Sequence, residues 1–314
     1  MTGYGAGQIP PPPPVGMPPE ATLEAGPRVE QMAGGGPRWL NRAGLHTVLI
    51  VVSIIWLLPT VALFVSSFRP SNDVLTNGWW NAFQLPFTFT LDNYAEVLTD
   101  NNMGTGFLNS LFITIPATVI PILVAAFAAY AFAWMEFPGR NLLFILVVGL
   151  LVVPLQSALI PVLQFTTGIG LTGSFAAVWL AHTGFGLPFA IFLLRNFFGA
   201  LPKEMFESAY LDGATPTTAF FRLVLPLSVP AIASLVIFQF MFVWNDLLVA
   251  LILVGGTPTV APMTVTIAGL VNSLGQGYHL LTAAAFISMA LPLVVFFGLQ
   301  RFFVRGILGG SVKG

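Results

Sequence analysis

The chain has 314 residues, of which 56% are hydrophobic and 7% charged, and its mean hydropathy is +0.87. A soluble domain carries about 25% charged residues, so this chain has to meet lipid over much of its surface. A formal net charge of -1 offers no basic field for nucleic acid, and the absence of cysteine excludes disulfides and thiolate metal or nucleophile chemistry.

The first stretch, 1–37, holds five consecutive prolines at 10–14 and further Gly and Pro, but no apolar run. It is expected to be a disordered, polyproline-type cytoplasmic tail, too polar for a signal peptide. Six apolar segments follow, at 46–68, 107–134, 142–165, 175–194, 227–254 and 280–299. Each is near or above the ~20 residues that cross hydrocarbon. Residues 38–314 are therefore expected to form one all-α integral membrane domain of six transmembrane helices. Prolines lie inside these segments, among them Pro59, Pro116, Pro154, Pro188 and Pro292. In a membrane bundle neighbouring helices satisfy the carbonyls that such prolines free, and the kinks serve either packing or rearrangement.

With the N-terminus inside, ten of the eleven Lys and Arg fall on the cytoplasmic side, and Arg69 alone lies outside. The positive-inside rule then places both termini in the cytoplasm, together with the loop between the fourth and fifth segments. The outer connection 69–106 carries Trp79, Trp80, Asp92, Tyr94, Glu96 and Asp100, a composition suited to a membrane interface. The outer connection 255–279 is rich in Gly, Thr and Pro. Each is either a contact for a substrate-delivery protein or a plain connector.

The cytoplasmic loop 199–226 has more organisation than solubility requires. Pro202 suits a first helical position, and Glu204 and Glu207 favour the positive start of a helix. At ~100° per residue Met205, Phe206, Ala209 and Tyr210 fall on one side, opposite Glu204, Glu207, Ser208 and Asp212, with Leu211 the exception. Gly213 is placed to take the left-handed conformation that stops the helix. Thr215 and Pro216 read as the cap and first residue of a second short helix.

Chemistry-bearing motifs are sparse. A P-loop needs Gly-x-x-x-x-Gly-Lys-Ser/Thr. Lys203, between Pro202 and Glu204, and Lys313, between Val312 and Gly314, fit no such loop. His46, His182 and His279 are far apart in sequence, so neither a metal site nor a catalytic constellation is expected. Asp246 is the one acid in the fifth segment. Lying about 19 residues beyond Leu227, or roughly 28 Å along a helix, it is expected near the outer interface. There it would hydrogen-bond Asn245 or the backbone, with no charged partner in another segment; a proton relay is the competing reading.

Glu207-Ser208-Ala209, Gly213, nine further residues and Leu223-Val224-Leu225-Pro226 resemble the EAA loop of ATP-binding-cassette importer permeases. That pattern is Glu-Ala-Ala, three residues, Gly, nine residues and Ile-x-Leu-Pro, so Ser208 replaces an alanine and Leu223 the isoleucine. Residues 45–314 are similar to carbohydrate importer permeases, the maltose-type second permease subunit. The similarity is carried by the run from Tyr130 to Trp134 with Glu136-Phe137-Pro138-Gly139-Arg140, by 187–196, by Trp244-Asn245-Asp246, and by the ending from Gln300 to Gly314. The details of the ending look most like the α-glucoside, maltose and trehalose branch, while the proline-rich tail departs from the family pattern.

The resemblance implies a type I ABC importer permease fold in the plasma (inner) membrane, forming half of a translocation pore. It implies a homologous second permease, two ATPase subunits using ATP and magnesium, and an extracytoplasmic sugar-binding protein. Glu204, Glu207, Ser208, Ala209, Asp212, Gly213 and Pro226 would couple this chain to the ATPase, and the chain itself would bind no cofactor and catalyse nothing. Gln239 and Asn245 are the candidates for contact with sugar hydroxyls. A proton- or sodium-coupled transporter would need a mid-membrane ionisable site that is not found, and an intramembrane enzyme would need a catalytic constellation. An ABC permease for a non-sugar solute stays open.

Overall fold

The computed structural model describes residues 38–270 and 277–311, with side-chain environments for 43–270 and 277–300. The tail 1–37, Asn272 and Lys313 lie outside the described residues. Among the described residues every regular element is helical. Contacts divide the chain into Met1–Trp56 and Leu57–Gly314. Of the first unit, the opening part of helix α1 (Arg38–Ser67) is described, and its side chains from 43 to 56 are all exposed, Val48, Ile50 and Trp56 among them. An apolar helix with no buried face is what lipid, in place of water, permits.

In the second unit the end of α1 leads to α2 (Ser71–Thr76), a 3-10 turn at Trp79–Phe83 and α3 (Asp92–Thr99). The long α4 (Met103–Trp134) follows, then α5 (Arg140–Gly149), a second 3-10 turn at Leu150–Val152, α6 (Leu155–Gly168) and α7 (Phe175–Gly199). Next come α8 (Lys203–Leu211), α9 (Pro216–Ala219), a π-helical turn at Phe220–Val224 and α10 (Leu225–Leu227). The chain ends with α11 (Val229–Trp244), α12 (Leu248–Leu253), α13 (Met263–Ala268) and α14 (Tyr278–Ser311).

Helices α4 and α7 pack along one another and form the centre, with α11 against both and α14 against α11. Many of their buried positions are small: Ala117, Ala125, Ala126 and Ala129 on α4, and Ala177, Ala181 and Ala190 on α7. Water supplies no driving force between helices in hydrocarbon, so close backbone approach through small residues has to hold them. Buried clusters form at both ends of this pair. One joins α4, α7, α8 and the start of α11; the others join α4 and α7 to α12, and α3 and α4 to α13 and α14.

Four helices are long and apolar enough to cross a membrane, and six spans result if each of two bent pairs counts as one. Here the structure corrects the sequence reading, because the third and fifth apolar segments are not single helices. The third bends by 105° between Val152 and Leu155. Val153 and Pro154 are extended there, and Pro154 has no N–H with which to continue the ladder. The fifth bends by 72° at Ser228, between Pro226 and Pro230, and breaks again at 245–247, before α12.

Arg69 also differs from a free outer cation. It is buried and donates to the carbonyls of Asn77 (3.3 Å), Gly78 (3.1 Å) and Asp73 (3.1 Å). Buried Asn93 binds the carbonyls of Ser67 and Arg69 at 2.9 and 2.8 Å, so the chain folds back on the end of α1.

Candidate coupling site

Helix α8 is short, nine residues, and helices of that length are marginal in water by themselves. Its main tie to the bundle is one buried ring. Phe206 is 2% exposed, its ring stacked on that of Trp134 with centroids 3.7 Å apart. Trp134 closes α4 and is held by its indole N–H donating to the carbonyl of Phe198 on α7 at 3.0 Å. Phe206 therefore sits in the cluster that includes Leu194 and Phe198 of α7, Val224, and Leu235 of α11.

The apolar face is narrower than the helical projection implies. Ala209 is half-buried, whereas Met205 and Tyr210 are exposed alongside Glu204, Glu207 and Ser208. Leu211 is 88% exposed. The Phe206 ring is the buried anchor of the helix, the Tyr210 hydroxyl reaches the Tyr130 hydroxyl of α4, and most of the remaining surface is offered outward with acids, small residues and apolar side chains mixed. Pro202 also shifts by one position: it caps the helix with an extended backbone and precedes the first turn.

The stop is built as the sequence indicates. Gly213 has φ +84, its N–H donates to the Tyr210 carbonyl, and the Ala214 N–H reaches back to Ala209 at 2.9 Å. These two bonds are the paired closure of a Schellman motif. Thr215 caps α9, its hydroxyl oxygen accepting from the Thr218 N–H, with Pro216 in the first position. The Tyr130 hydroxyl donates to the Pro216 carbonyl at 2.9 Å, so α4 holds both helices of the loop. Asp212 is exposed at the end of α8. Pro226 is exposed in α10, past the π-helical turn and away from α8 in sequence, at the bend. The structure thus brings Glu204, Glu207, Ser208, Ala209, Asp212 and Gly213 onto one short element and leaves Pro226 on another. Sequence reasoning quoted Tyr130 and Trp134 only for the family resemblance and missed that these two side chains seat the loop.

The two candidates for solute contact separate. Gln239 is buried and donates to the Ala117 carbonyl at 3.1 Å, tying α11 to α4. Its amide also fills the space beside Gly186, where a Cβ would come within 2.7 Å of it. Asn245 is exposed, with its amide donating to the Met241 carbonyl of its own helix at 2.9 Å. Beside Gln239 a hollow of about 240 Å³ is lined by Phe185, Gly186, Phe189, Phe238 and Phe242. A larger cavity of about 500 Å³ lies in the elbow of the bent third span, with Leu150, Leu155, Phe165 and Phe185 in its wall. Asp246 is a further correction, because it has an ionisable neighbour after all: His182 Nε2 of α7 lies 3.6 Å from its Oδ2.

Residues 121–309 match the family described as the binding-protein-dependent transport system inner membrane component. The osmoprotective compounds uptake permease protein GgtD of Synechocystis sp. is 60% identical over 272 residues, 86% of this chain and 91% of that protein. The alpha-glucoside transport system permease protein AglG of Rhizobium meliloti is 55% identical over 234 residues, 73% of this chain and 62% of that protein. A bacterial ABC transporter involved in the import of the acidic polysaccharide alginate has a chain of similar fold, with a TM-score of 0.73 at 19% identity, covering 85% of this chain and 98% of that one. The chain thus belongs to the family of binding-protein-dependent transport system inner membrane components and is a multi-pass protein of that membrane.

Proposed function

We propose that this chain is the permease subunit forming half of the translocation pore of an ABC sugar importer, with α-linked glucosides such as maltose or trehalose as its solutes. The observation that carries the reading is the construction of α8: a helix anchored to the bundle through the buried ring of Phe206, with Glu204, Glu207 and Ser208 turned outward. Such an element transmits force between a membrane domain and a partner protein. The partners are two ATPase subunits that use ATP and magnesium, a homologous second permease, and an extracytoplasmic solute-binding protein. This chain catalyses no reaction and holds no nucleotide. Closure of the ATPase pair drives the two coupling helices together and turns the pore from inward-open to outward-open. Six spans with both termini cytoplasmic put α8 on the ATPase side, in agreement with the distribution of Lys and Arg.

The name of AglG supports α-glucosides, and that of GgtD, at higher identity, supports osmoprotective compounds as a second reading. Small neutral polyhydroxylated solutes satisfy both. Purified with its partners in proteoliposomes, the transporter should hydrolyse ATP faster when the matched binding protein carries maltose or trehalose. Stimulation only by a solute without a glucosyl group would move the assignment to another branch. Absence of any ATPase partner on purification would remove the reading altogether.

A further inference from the structure

Where the middle of α7 faces α11, the surface changes in character. Along α1 the exposed side chains are largely aliphatic, Val48, Leu49, Ile50, Ile54 and Ile55 among them, as hydrocarbon tails favour. The hollow of about 240 Å³ between α7 and α11 is lined instead by Phe185, Gly186, Phe189, Phe238, Gln239 and Phe242. That wall is four aromatic rings, a glycine and an amide, with no aliphatic side chain in it.

Gln239 forms the floor. It is buried, and one amide N–H donates to the Ala117 carbonyl of α4 at 3.1 Å, which fixes the side chain. A glutamine amide offers two donors and an acceptor, and among the described residues the oxygen and the second N–H take no partner. Gly186 makes room for this head group, because a Cβ there would lie 2.7 Å from both the amide nitrogen and the amide oxygen. An amide held at this depth of a membrane span carries a cost unless something satisfies it, and such groups mark solute paths. Phe189 of α7 and Phe242 of α11 are both exposed, and Phe189 meets Phe238 edge to face at 6.3 Å and 80°, which makes the wall angled.

A pyranose ring takes partners of this kind. Its C–H groups lie against the negative face of an aromatic ring, and its hydroxyls both donate to and accept from an amide. The adjoining cavity of about 500 Å³ shares Phe185 and Phe242 with the hollow, so a second ring has a continuous way past it. Among the described residues no charged side chain lines either space, which fits a neutral solute. We propose that the Gln239 hollow is a contact site for one neutral pyranosyl ring of the passing solute, with Phe189 and Phe242 against its faces and the amide on its hydroxyls. The site rests on the reading of this chain as a sugar importer permease and adds the side chains by which it touches its cargo. Two rings and one amide hold a solute weakly, and a transport contact has to release what it binds.

The test uses the transporter assembled with its partners in proteoliposomes, with labelled maltose or trehalose delivered by the matched binding protein. Solute taken up and ATP hydrolysed are measured together. Phe189→Leu keeps apolar bulk but has no flat face, so a released solute finds less to hold it while the ATPase cycle completes. The solute moved per ATP should fall by about two- to tenfold, the worth of one aromatic contact. Phe189→Tyr keeps the face and should recover the ratio, and Gly186→Ala, which pushes the amide aside, should lower it. A ring with only a packing role would lower hydrolysis and uptake together and leave their ratio unchanged. An unchanged ratio in Phe189→Leu, or equal loss in Phe189→Leu and Phe189→Tyr, would overturn the site and leave the importer reading standing. Failure of the wild-type transporter to take up any glucoside would overturn that reading, and the site with it. Should Phe189→Leu fail to assemble, the leucine and tyrosine pair at Phe242 decides in the same way.

Discussion

Replacing Phe206 with alanine should detach α8, the proposed coupling helix, while leaving the transmembrane bundle intact. The side chain is almost wholly buried, stacks on Trp134, and is the one residue of α8 in the core cluster without exposure. Truncating a buried phenylalanine costs about 3–5 kcal/mol in a core that cannot collapse. Because α8 has nine residues, it has no internal reserve to offset that loss. A change of about 3 kcal/mol multiplies the undocked population by about a hundredfold, since each 1.4 kcal/mol is a factor of ten. The bundle contacts of α4, α7, α11 and α14 do not pass through Phe206, so membrane insertion and expression should be unaffected. Hydrogen exchange of the amides from 203 to 214 in nanodiscs measures the docking directly, and copurification of the ATPase measures its consequence. Faster exchange confined to those amides, with weakened ATPase association, is expected. Exchange unchanged from wild type in Phe206→Ala would refute the claim that this ring seats the helix.

At Gly213 an added Cβ meets nothing within 4 Å, so the cost of Gly213→Ala is backbone strain alone, about 1–2 kcal/mol, and Gly213→Asn should recover much of the loss in sugar-stimulated ATP hydrolysis. Equal activity in all three would show that the left-handed stop has no functional weight. Cysteines introduced at Asp92 and Gly256, both exposed, should react with a membrane-impermeant reagent added outside intact cells, and one at Ser208 should not; external labelling at 208 would invert the topology. Arg69→Ala should expose the connection 69–93 to external protease, because up to three carbonyls lose their donor at about 1–3 kcal/mol for each that stays dry, whereas orientation should be unchanged. Wild-type protease resistance in Arg69→Ala would show that Asn93 alone holds that fold.

What was legible in the sequence was local. Gly213 and the Thr215-Pro216 cap announce themselves because a left-handed stop and a hydroxyl cap depend on residues within a few positions. The apolar segments were legible for the same reason, as lipid requires a continuous run. The break at 245–247 was not, although Asp246 stands three residues before Val249 as a helix cap would. Hydropathy adds up composition and cannot see a carboxylate that starts a new helix inside an apolar run. The stacking of Phe206 on Trp134 was beyond reach as well. Met205, Phe206 and Tyr210 share a helical side, and only the distant end of α4 decides which of them is buried. Arg69 was read only as the cation left on the outer side, and its guanidinium is occupied by backbone carbonyls. Its donors serve the fold-back at the end of α1.

On the proposed coupling role of α8, the division between rigid parts and joints bears on how a push there would travel. Phe206 shares a packed cluster with α4, α7 and the start of α11, and packed interiors have low compressibility. A displacement of α8 must then move the ends of those helices with it, and cannot be absorbed by soft packing. Helices α4 and α7 are unbroken from that cluster to the opposite end, so they carry the motion as rods even though Pro116, Pro121 and Pro188 lie inside them. Bending has to be taken up where the backbone ladder is interrupted. Three such places exist among the described residues of the third and fifth spans: around Pro154, at Ser228 and at 245–247. Ser228 lies next to the driven end and relates α11 to the loop; the other two lie beyond the central packing of α4 on α7. Of those two, the joint around Pro154 faces a cavity with apolar lining and has only the Ser157 hydroxyl on the Pro154 carbonyl, and the joint at 245–247 contains a carboxylate facing an imidazole. Apolar walls slide with little angular preference, whereas a carboxylate that caps a helix defines its direction. The angle of the fifth span at its second break is therefore the more sharply determined of the two, and it is there that a single side chain can alter how far the α8 stroke reaches.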